Sequence, residues 1–466
     1  MKVSKRAWLS AAASTMAGAG LLPATLAAAA SPVNKPRQLL FPRDAGAHPE
    51  FKTEWWYLTG QATVAGQAAA YGFQITFFRS RVDGTQAMQS RLAAKQLLFA
   101  HAAITDVQAK RLHHDQRIAR WSGAAPGQNG TDTASAATQD TGVVLRDWSL
   151  LREGADLRAR VLTEGFAMDL RFAATQPVLL QGDGGLSRKG PDPRQTSYYY
   201  SLPQLQVSGT LTLQGKALQI EAGSTAWLDH EWSEEVLPAS SPGWDWIGIN
   251  LFDGSALTAF RVRDAAGSAL WDGGSFRSGA TLYIFKPGEV IFKAQRHWRS
   301  PTSRASYPVE WMVRTPADFY TVKAVLDNQE LDSRQSTGAI YWEGLSELRD
   351  SNGKLAGHGY LVVNYLRSAL GQQTYGHFSP VAAYDEARDR FLILDVARYK
   401  YPPVWVKAEE LFAAMNTKDS DNDDKSRGYV LINASVSSFA HPPVMSAYAA
   451  SKSAAEAMGN SWRIEL

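Results

Sequence analysis

The chain has 466 residues, 20% of them charged, a formal net charge of +3 and no cysteine. So long a chain exceeds one ordinary core, and two or three domains are expected. The near-neutral balance excludes a dedicated nucleic-acid binder, and the missing thiols exclude disulfides, zinc–thiolate centres and a cysteine nucleophile.

Residues 1–30 read as an export signal. Lys2, Lys5 and Arg6 form a basic start, an Ala-rich run follows, and Ala28-Ala29-Ala30 offers small residues for cleavage. Ser4-Lys5-Arg6-Ala7-Trp8-Leu9 is close to a twin-arginine signal, with a general secretory signal as the alternative. The expectation is a mature protein beginning near Ser31, exported to the periplasm, with no stable membrane insertion.

From about residue 50 the pattern is that of strands. Tyr71, Phe73, Ile75 and Phe77 alternate with Gly72, Gln74 and Thr76, a period of two. Leu211–Ile220 reads as a hairpin turning near Gly215, and Phe252-Asp253-Gly254, Pro287-Gly288 and Asn352-Gly353 read as further hairpin turns. Gly123–Gly142, rich in small and polar residues, reads as a loop. Twelve of the 15 Trp fall between Trp55 and Trp342, a loading that suits a β-rich domain with an apolar cavity.

The densest stretch runs from Ala226 to Asn250. It holds Trp227, Asp229, His230, Glu231, Trp232, Trp244, Asp245 and Trp246. Carboxyls beside indoles are candidates for a raised pKa, as a general acid needs; a polar staple between two sheets is the other reading. Other aromatic–polar groups precede it: His48 with Glu54-Trp55-Trp56-Tyr57, then His101 with Asp106, then Tyr198-Tyr199-Tyr200-Ser201. Catalytic candidates are Asp229, His230 and Glu231. Ligand-binding candidates are Glu54, Trp55, Tyr57, His101 and Tyr199, together with Trp232, Trp244, Asp245 and Trp246. No cofactor is expected, and no metal site, because His48, His101 and His230 lack a ligand spacing such as His-x3-His.

The series Glu-Trp-Trp-Tyr, His-x4-Asp, Tyr-Tyr-Tyr-Ser, Asp-His-Glu-Trp, Gly-Trp-Asp-Trp resembles the lipocalin-like family of AttH proteins, secreted hydrolases and carotenoid 1,2-hydratase, over about residues 45–360. That resemblance implies a mainly β fold of two consecutive lipocalin-like barrels, at 45–232 and 233–360. It also implies a site near Asp229, His230, Glu231 and Trp232. Gly243-Trp244-Asp245-Trp246 and Phe260-Arg261-Val262-Arg263 resemble the AttH branch more than the hydratase branch. The expected ligand is an apolar small molecule, isoprenoid, carotenoid or lipid-like. The chain is then either a hydratase or hydrolase acting on it, or a carrier without catalysis.

Residues 361–432, including Tyr375–Pro380 and Phe391–Trp405, are similar to the catalytic half of phytochelatin synthase, a γ-glutamylcysteine transferase. His377 would be the base and Asp395 its orienting acid, but the cysteine nucleophile is missing. Residues 433–466 resemble the active-site segment of short-chain dehydrogenases, with Ser435, Tyr448 and Lys452 at the matching positions and no Gly-rich dinucleotide turn before them. These fragments imply a partial α/β C-terminal region that adds neither activity.

The last expectation concerns alternation. On a strand, Trp227, Asp229 and Glu231 face one way and Leu228, His230 and Trp232 the other, while Trp244 and Trp246 lie opposite Asp245. That places the group at a junction of two barrels, with one carboxylate paired to His230, Arg261 or Arg263.

Overall fold

The structure, a computed structural model, describes residues 34–365 apart from 68–69, 236–240, 242, 265, 335 and 337–338. Further on it describes 381–385, 388–393, 404–415, 418–419 and 425–426. The described chain is almost entirely β, as the alternating patterns require.

The first sheet contains two meanders. One is β1 (Thr53–Ala62), β2 (Tyr71–Arg81), β3 (Gln96–Asp106) and β4 (Arg111–Trp121). The other is β5 (Ala134–Ala136), β6 (Gly142–Leu145), β7 (Trp148–Glu153), β8 (Asp156–Leu162) and β9 (Phe166–Ala173). Short strands β10 (Leu179–Leu180), β11 (Leu186–Arg188) and β13 (Lys216–Gln219) flank the long β12 (Thr196–Leu213), and β14 (Thr225–Ser233) pairs with both β1 and β12. The order is β4-β3-β2-β1-β14-β12-β9-β8-β7-β6-β5. The sheet curls until its ends meet: on β4, Arg117 lies over the Trp148 ring at 4.9 Å and Arg120 pairs with Asp132 just before β5.

The second sheet comprises β15 (Gly243–Leu251), β16 (Ala256–Arg263), β17 (Ala269–Ser278), β18 (Thr281–Phe285), β19 (Ile291–Arg299), β20 (Ser306–Arg314), β21 (Phe319–Ala324), β22 (Glu330–Ser333), β23 (Ala339–Arg349) and β24 (Leu355–Tyr365). Its order is β18-β17-β16-β15-β24-β23-β21-β20-β19, with β22 on β23. These are two consecutive lipocalin-like, nearly closed barrels. A third sheet, β25 (Val381–Asp385), β26 (Arg390–Ile393) and β27 (Val404–Lys407), leads into α1 (Ala408–Met415).

The turns at Gly215, Gly254 and Gly353 join paired strands. Pro287-Gly288 does not: it links β18 and β19, which are the two ends of the second sheet rather than a hairpin. Asp272 anchors that turn by accepting the Gly288 and Val290 N–H groups. The stretch expected as one loop over 123–142 also contains β5, held by its ladder to β6.

Each barrel has its own core. Burial of a side chain such as Phe73 or Ile75 contributes roughly 1.5–3 kcal/mol, and both belong to the first core with Trp56, Trp148 and Trp232. Trp311, Trp342 and Tyr307 pack the second. Much of the indole content expected around a ligand cavity therefore serves to fill the barrels. A third cluster holds Tyr57, Trp227, Trp246, Phe260, Leu345 and Tyr360, drawn from both sheets. It explains why β14 and β15 are buried on both faces: one side packs its own barrel and the other its neighbour. Gly72 allows the close approach, since a Cβ there would sit 2.8 Å from the Tyr360 hydroxyl and 2.9 Å from Leu345 Cβ.

Candidate functional site

Strand alternation divides the residues of the Asp-His-Glu-Trp run. Leu228, His230 and Trp232 point into the first barrel, whereas Trp227, Asp229 and Glu231 point toward the junction. The three catalytic candidates therefore do not form one site.

Inside the first barrel, Glu54 organises a charge cluster. Its Oε1 is 2.8 Å from Nδ1 of His48 and 2.9 Å from Nε2 of His230, and its Oε2 is 2.7 Å from Nε of Arg79. His48 also reaches Asp44 through Nε2 at 3.0 Å, and its ring stacks on Trp232 at 3.8 Å and 5°. Burial opposes charge on His48, yet hydrogen bonds to Asp44 and Glu54 outweigh it and raise its pKa. Burial likewise opposes charge on Glu54, but Arg79 and the two histidines hold its carboxyl well below the usual range. His230 is lowered to about 4 by burial, against the pull of Glu54. Stacked on Trp56, it donates to Glu54 and accepts from Tyr200 at 3.3 Å.

His48, Glu54 and His230 could be taken for a metal centre, since one donor atom from each lies within 4.8 Å of the others. In the structure these donor atoms engage one another and Asp44: His48 bridges Asp44 and Glu54, and His230 reaches Glu54. The cluster pins the arm of residues 34–51 to β1, β2 and β14, and Asn34 ties the start of the arm to β12.

The junction holds a different kind of carboxyl. Asp229 is 3% exposed and opposes Tyr57 on β1 and Ser201 on β12. Its Oδ1 accepts from Ser201 Oγ at 2.6 Å and Trp227 Nε1 at 2.7 Å; its Oδ2 lies 2.9 Å from the Tyr199 hydroxyl. That hydroxyl accepts from Trp246 Nε1 at 3.3 Å. Among the described residues no cation lies within ion-pair distance of Asp229. Burial, with a smaller push from the Glu231 carboxylate, raises its pKa to about 7 against the three hydrogen-bond donors. Near neutral pH burial thus favours the protonated acid.

Around it the rings meet edge to face: Tyr57 with Trp246 at 5.4 Å, and Trp227 with Trp246 at 6.5 Å. Toward the rim, Lys189 pairs with Glu231 at 3.0 Å and lies 4.5 Å from the centres of the Tyr199 and Phe260 rings. Trp55, Trp244 and Trp271 are half-buried beside this group. On the facing wall, burial pushes Glu343 up to about 8, against the influence of the Tyr57 hydroxyl. His101 bridges the barrels at another edge of the same interface, 2.7 Å from Tyr341 and 2.8 Å from Ser336, and burial lowers it to about 3.

A family model described as AttH-like matches residues 32–363. The chain belongs to the AttH-like family. The crystal structure of an AttH protein of Nitrosomonas europaea is 41% identical, with a TM-score of 0.65, over 72% of this chain and 99% of that one. Kievitone hydratase of Nectria haematococca is 16% identical with a TM-score of 0.52, over 72% of this chain and 97% of that one, and shares the fold. A phytochelatin synthase family model matches residues 316–429 and overlaps the AttH-like match over 316–363. Glutathione γ-glutamylcysteinyltransferase 3 of Lotus japonicus is 51% identical over 74 residues, 16% of this chain. Glutathione γ-glutamylcysteinyltransferase 2 of Arabidopsis thaliana is 45% identical over 74 residues, again 16% of this chain. The chain spans about 15% of the length of such relatives.

In this AttH-like chain Trp55, Tyr57, Tyr199, Trp244 and Trp246 face the junction, with His101 at one edge. Glu54 and Trp232 do not; they belong to the first barrel's interior. Asp245 points into the second barrel, 2.7 Å from Arg261 and 3.0 Å from Arg263. Burial raises its pKa even against both guanidiniums. His377, Asp395, Ser435, Tyr448 and Lys452 lie outside the described residues. Glu343 and Lys189 are additions. Glu343 follows Tyr341-Trp342, the same acid-beside-indole signal as Asp229, whereas Lys189 in a charged loop gives no signal.

Proposed function

We propose that this AttH-like protein is an enzyme that adds water across a carbon–carbon double bond of an apolar, isoprenoid- or lipid-like molecule held at the junction of the barrels. The observation that carries this reading is Asp229: a buried carboxyl with hydrogen-bond donors, no cation, and a pKa near neutrality. The Asp229–Tyr199 pair delivers a proton to one alkene carbon. The faces of Tyr57, Trp227 and Trp246 stabilise the positive charge on the other. Water adds to that carbon, and its surplus proton returns to Asp229. A protein of the same fold carries the name hydratase, and we put hydration before hydrolysis because a carboxyl held as the acid suits protonation of an alkene, whereas activating the Ser201 hydroxyl beside it needs a carboxylate base.

The test is incubation of the protein with a panel of apolar alkenes in D2O enriched in H2-18O, with products read by mass spectrometry. Paired uptake of one deuterium and one 18O, abolished in Asp229→Asn, supports the reading. Ligands that bind and return unlabelled would make the protein a carrier. Export of the protein by residues 1–30 belongs to the same proposal, and an intact Met1 terminus on cytoplasmic protein would count against it.

A further inference from the structure

Three buried polar atoms at the junction make no hydrogen bond of regular geometry: the Tyr57 hydroxyl, Gln74 Oε1 and Glu343 Oε1. Their residues are 9%, 1% and 3% exposed. They come from β1, β2 and β23, and thus from both barrels. They also lie together. Gln74 holds Thr76 through its amide nitrogen, and Thr76 is the direct partner of Tyr57 across β1 and β2. Tyr57 and Glu343 face each other across the junction in a loose contact that acts as a side-chain hydrogen bond on both titrations, short of regular geometry. Asp229 acts on Tyr57 as well, from its position opposite on β14.

Buried polar groups without well-formed hydrogen bonds destabilise a fold, and one place with three of them needs a reason. The neighbouring polar groups in each barrel have found partners: Gln181 with Ser201 and Ser275, and Gln329 with Thr105. We propose that Tyr57, Gln74 and Glu343 form a binding subsite for a hydroxyl or carbonyl oxygen at one end of an otherwise apolar molecule. The tyrosine hydroxyl and the protonated glutamic acid donate to that oxygen, and Gln74 Oε1 accepts from a hydroxyl. The apolar body then lies across the Tyr57 and Trp246 rings. That the body ends beside Asp229, with its double bond at the acid, rests on the hydration reading; the oxygen subsite does not.

The experiment pairs binding with thermal melting on the full chain, using α-terpineol and limonene, which differ by one molecule of water. Wild type should bind α-terpineol about tenfold more tightly than limonene. Tyr57→Phe, Gln74→Leu and Glu343→Met should each remove most of that preference, leave limonene affinity unchanged and keep or raise the melting temperature. Glu343→Gln, which keeps a donor and an acceptor, should retain the preference. The proposal is overturned if wild type shows no preference, including if it binds neither probe. It is equally overturned if the apolar variants keep the preference, or if they melt markedly lower with the preference intact. Asp229→Asn separates the two readings, because it should stop isotope uptake and leave the α-terpineol preference in place.

Discussion

Glu54 and Arg79 are direct partners across β1 and β2, and both side chains are completely buried, with Oε2 2.7 Å from Nε. Arg79 also donates to the carbonyls of Phe51 and His48 and to Gln96. Removing one member leaves an uncompensated charge in the barrel. Arg79→Met should therefore destabilise the protein by roughly 3–5 kcal/mol. Denaturant melts of the two proteins check this; a loss below about 1 kcal/mol would refute the staple.

Asp229 and His101 should bend the stability curve in opposite senses. Asp229 is raised from 3.8 to about 7, so the native state holds a proton that the unfolded chain has released. Its contribution is complete below pH 4 and is lost as the pH rises to about 7, on the order of 4 kcal/mol. His101 is lowered from 6.5 to about 3 and is buried neutral. Its contribution is complete above pH 6.5 and is lost as the pH falls toward 3. Melting from pH 4 to 8 should show Asp229→Asn gaining on wild type as the pH rises, while His101→Asn gains on wild type as the pH falls.

If Asp229 supplies the proton, turnover needs its acid form. Isotope uptake should fall above about pH 7, and Asp229→Asn should lower the rate by about 100-fold or more. Tyr199→Phe should also slow the reaction, by removing the hydroxyl between acid and substrate. A rate that rises through pH 7 would assign the proton to another group.

Asp245 gives a control on the other side of β15. Its carboxyl faces Arg261 and Arg263 inside the second barrel, and Arg261 lies 5.0 Å from the Trp311 ring centre. Asp245→Asn should lower stability by roughly 3 kcal/mol and leave probe binding at the junction unchanged in the protein that remains folded. Loss of binding at full stability would place Asp245 in the site.

Gly72 tests the fit of the barrels. A methyl group there meets Tyr360 and Leu345 within contact distance, so Gly72→Ala should cost roughly 1–3 kcal/mol. Leu345→Ala in the same chain should recover part of that loss, a coupling that a double-mutant cycle measures.

The strand pattern from Tyr71 to Phe77 is legible in the sequence, and so is the division of Asp229 from His230, because both follow from a period of two. What period alone leaves open is the cover on the second face. The alternation sets Gln74 and Thr76 on the face opposite Phe73 and Ile75 without saying what covers that face, and in the structure both are buried. His48 and Glu54 sit too far from His230 in the chain for spacing to join them; the ladder between β1 and β14 does so. Glu343 carries the same local signal as Asp229, but only the packing of β23 against β1 gives it a role. The turn at Pro287-Gly288 has the composition of a hairpin and joins unpaired strands, because turn chemistry sets a reversal and not the pairing that follows.

The two walls of the junction grow from separate sheets, each secured by its own core. A substitution on the β23–β24 wall can change the shape offered to a ligand without disturbing the strands that hold Asp229, and the reverse holds for β1 and β2. On the hydration reading the acid belongs to the first barrel, while the oxygen subsite draws on both, through Tyr57 and Gln74 on one wall and Glu343 on the other. If the junction binds as proposed, substitutions confined to the second barrel would alter what is accepted and leave the acid in place.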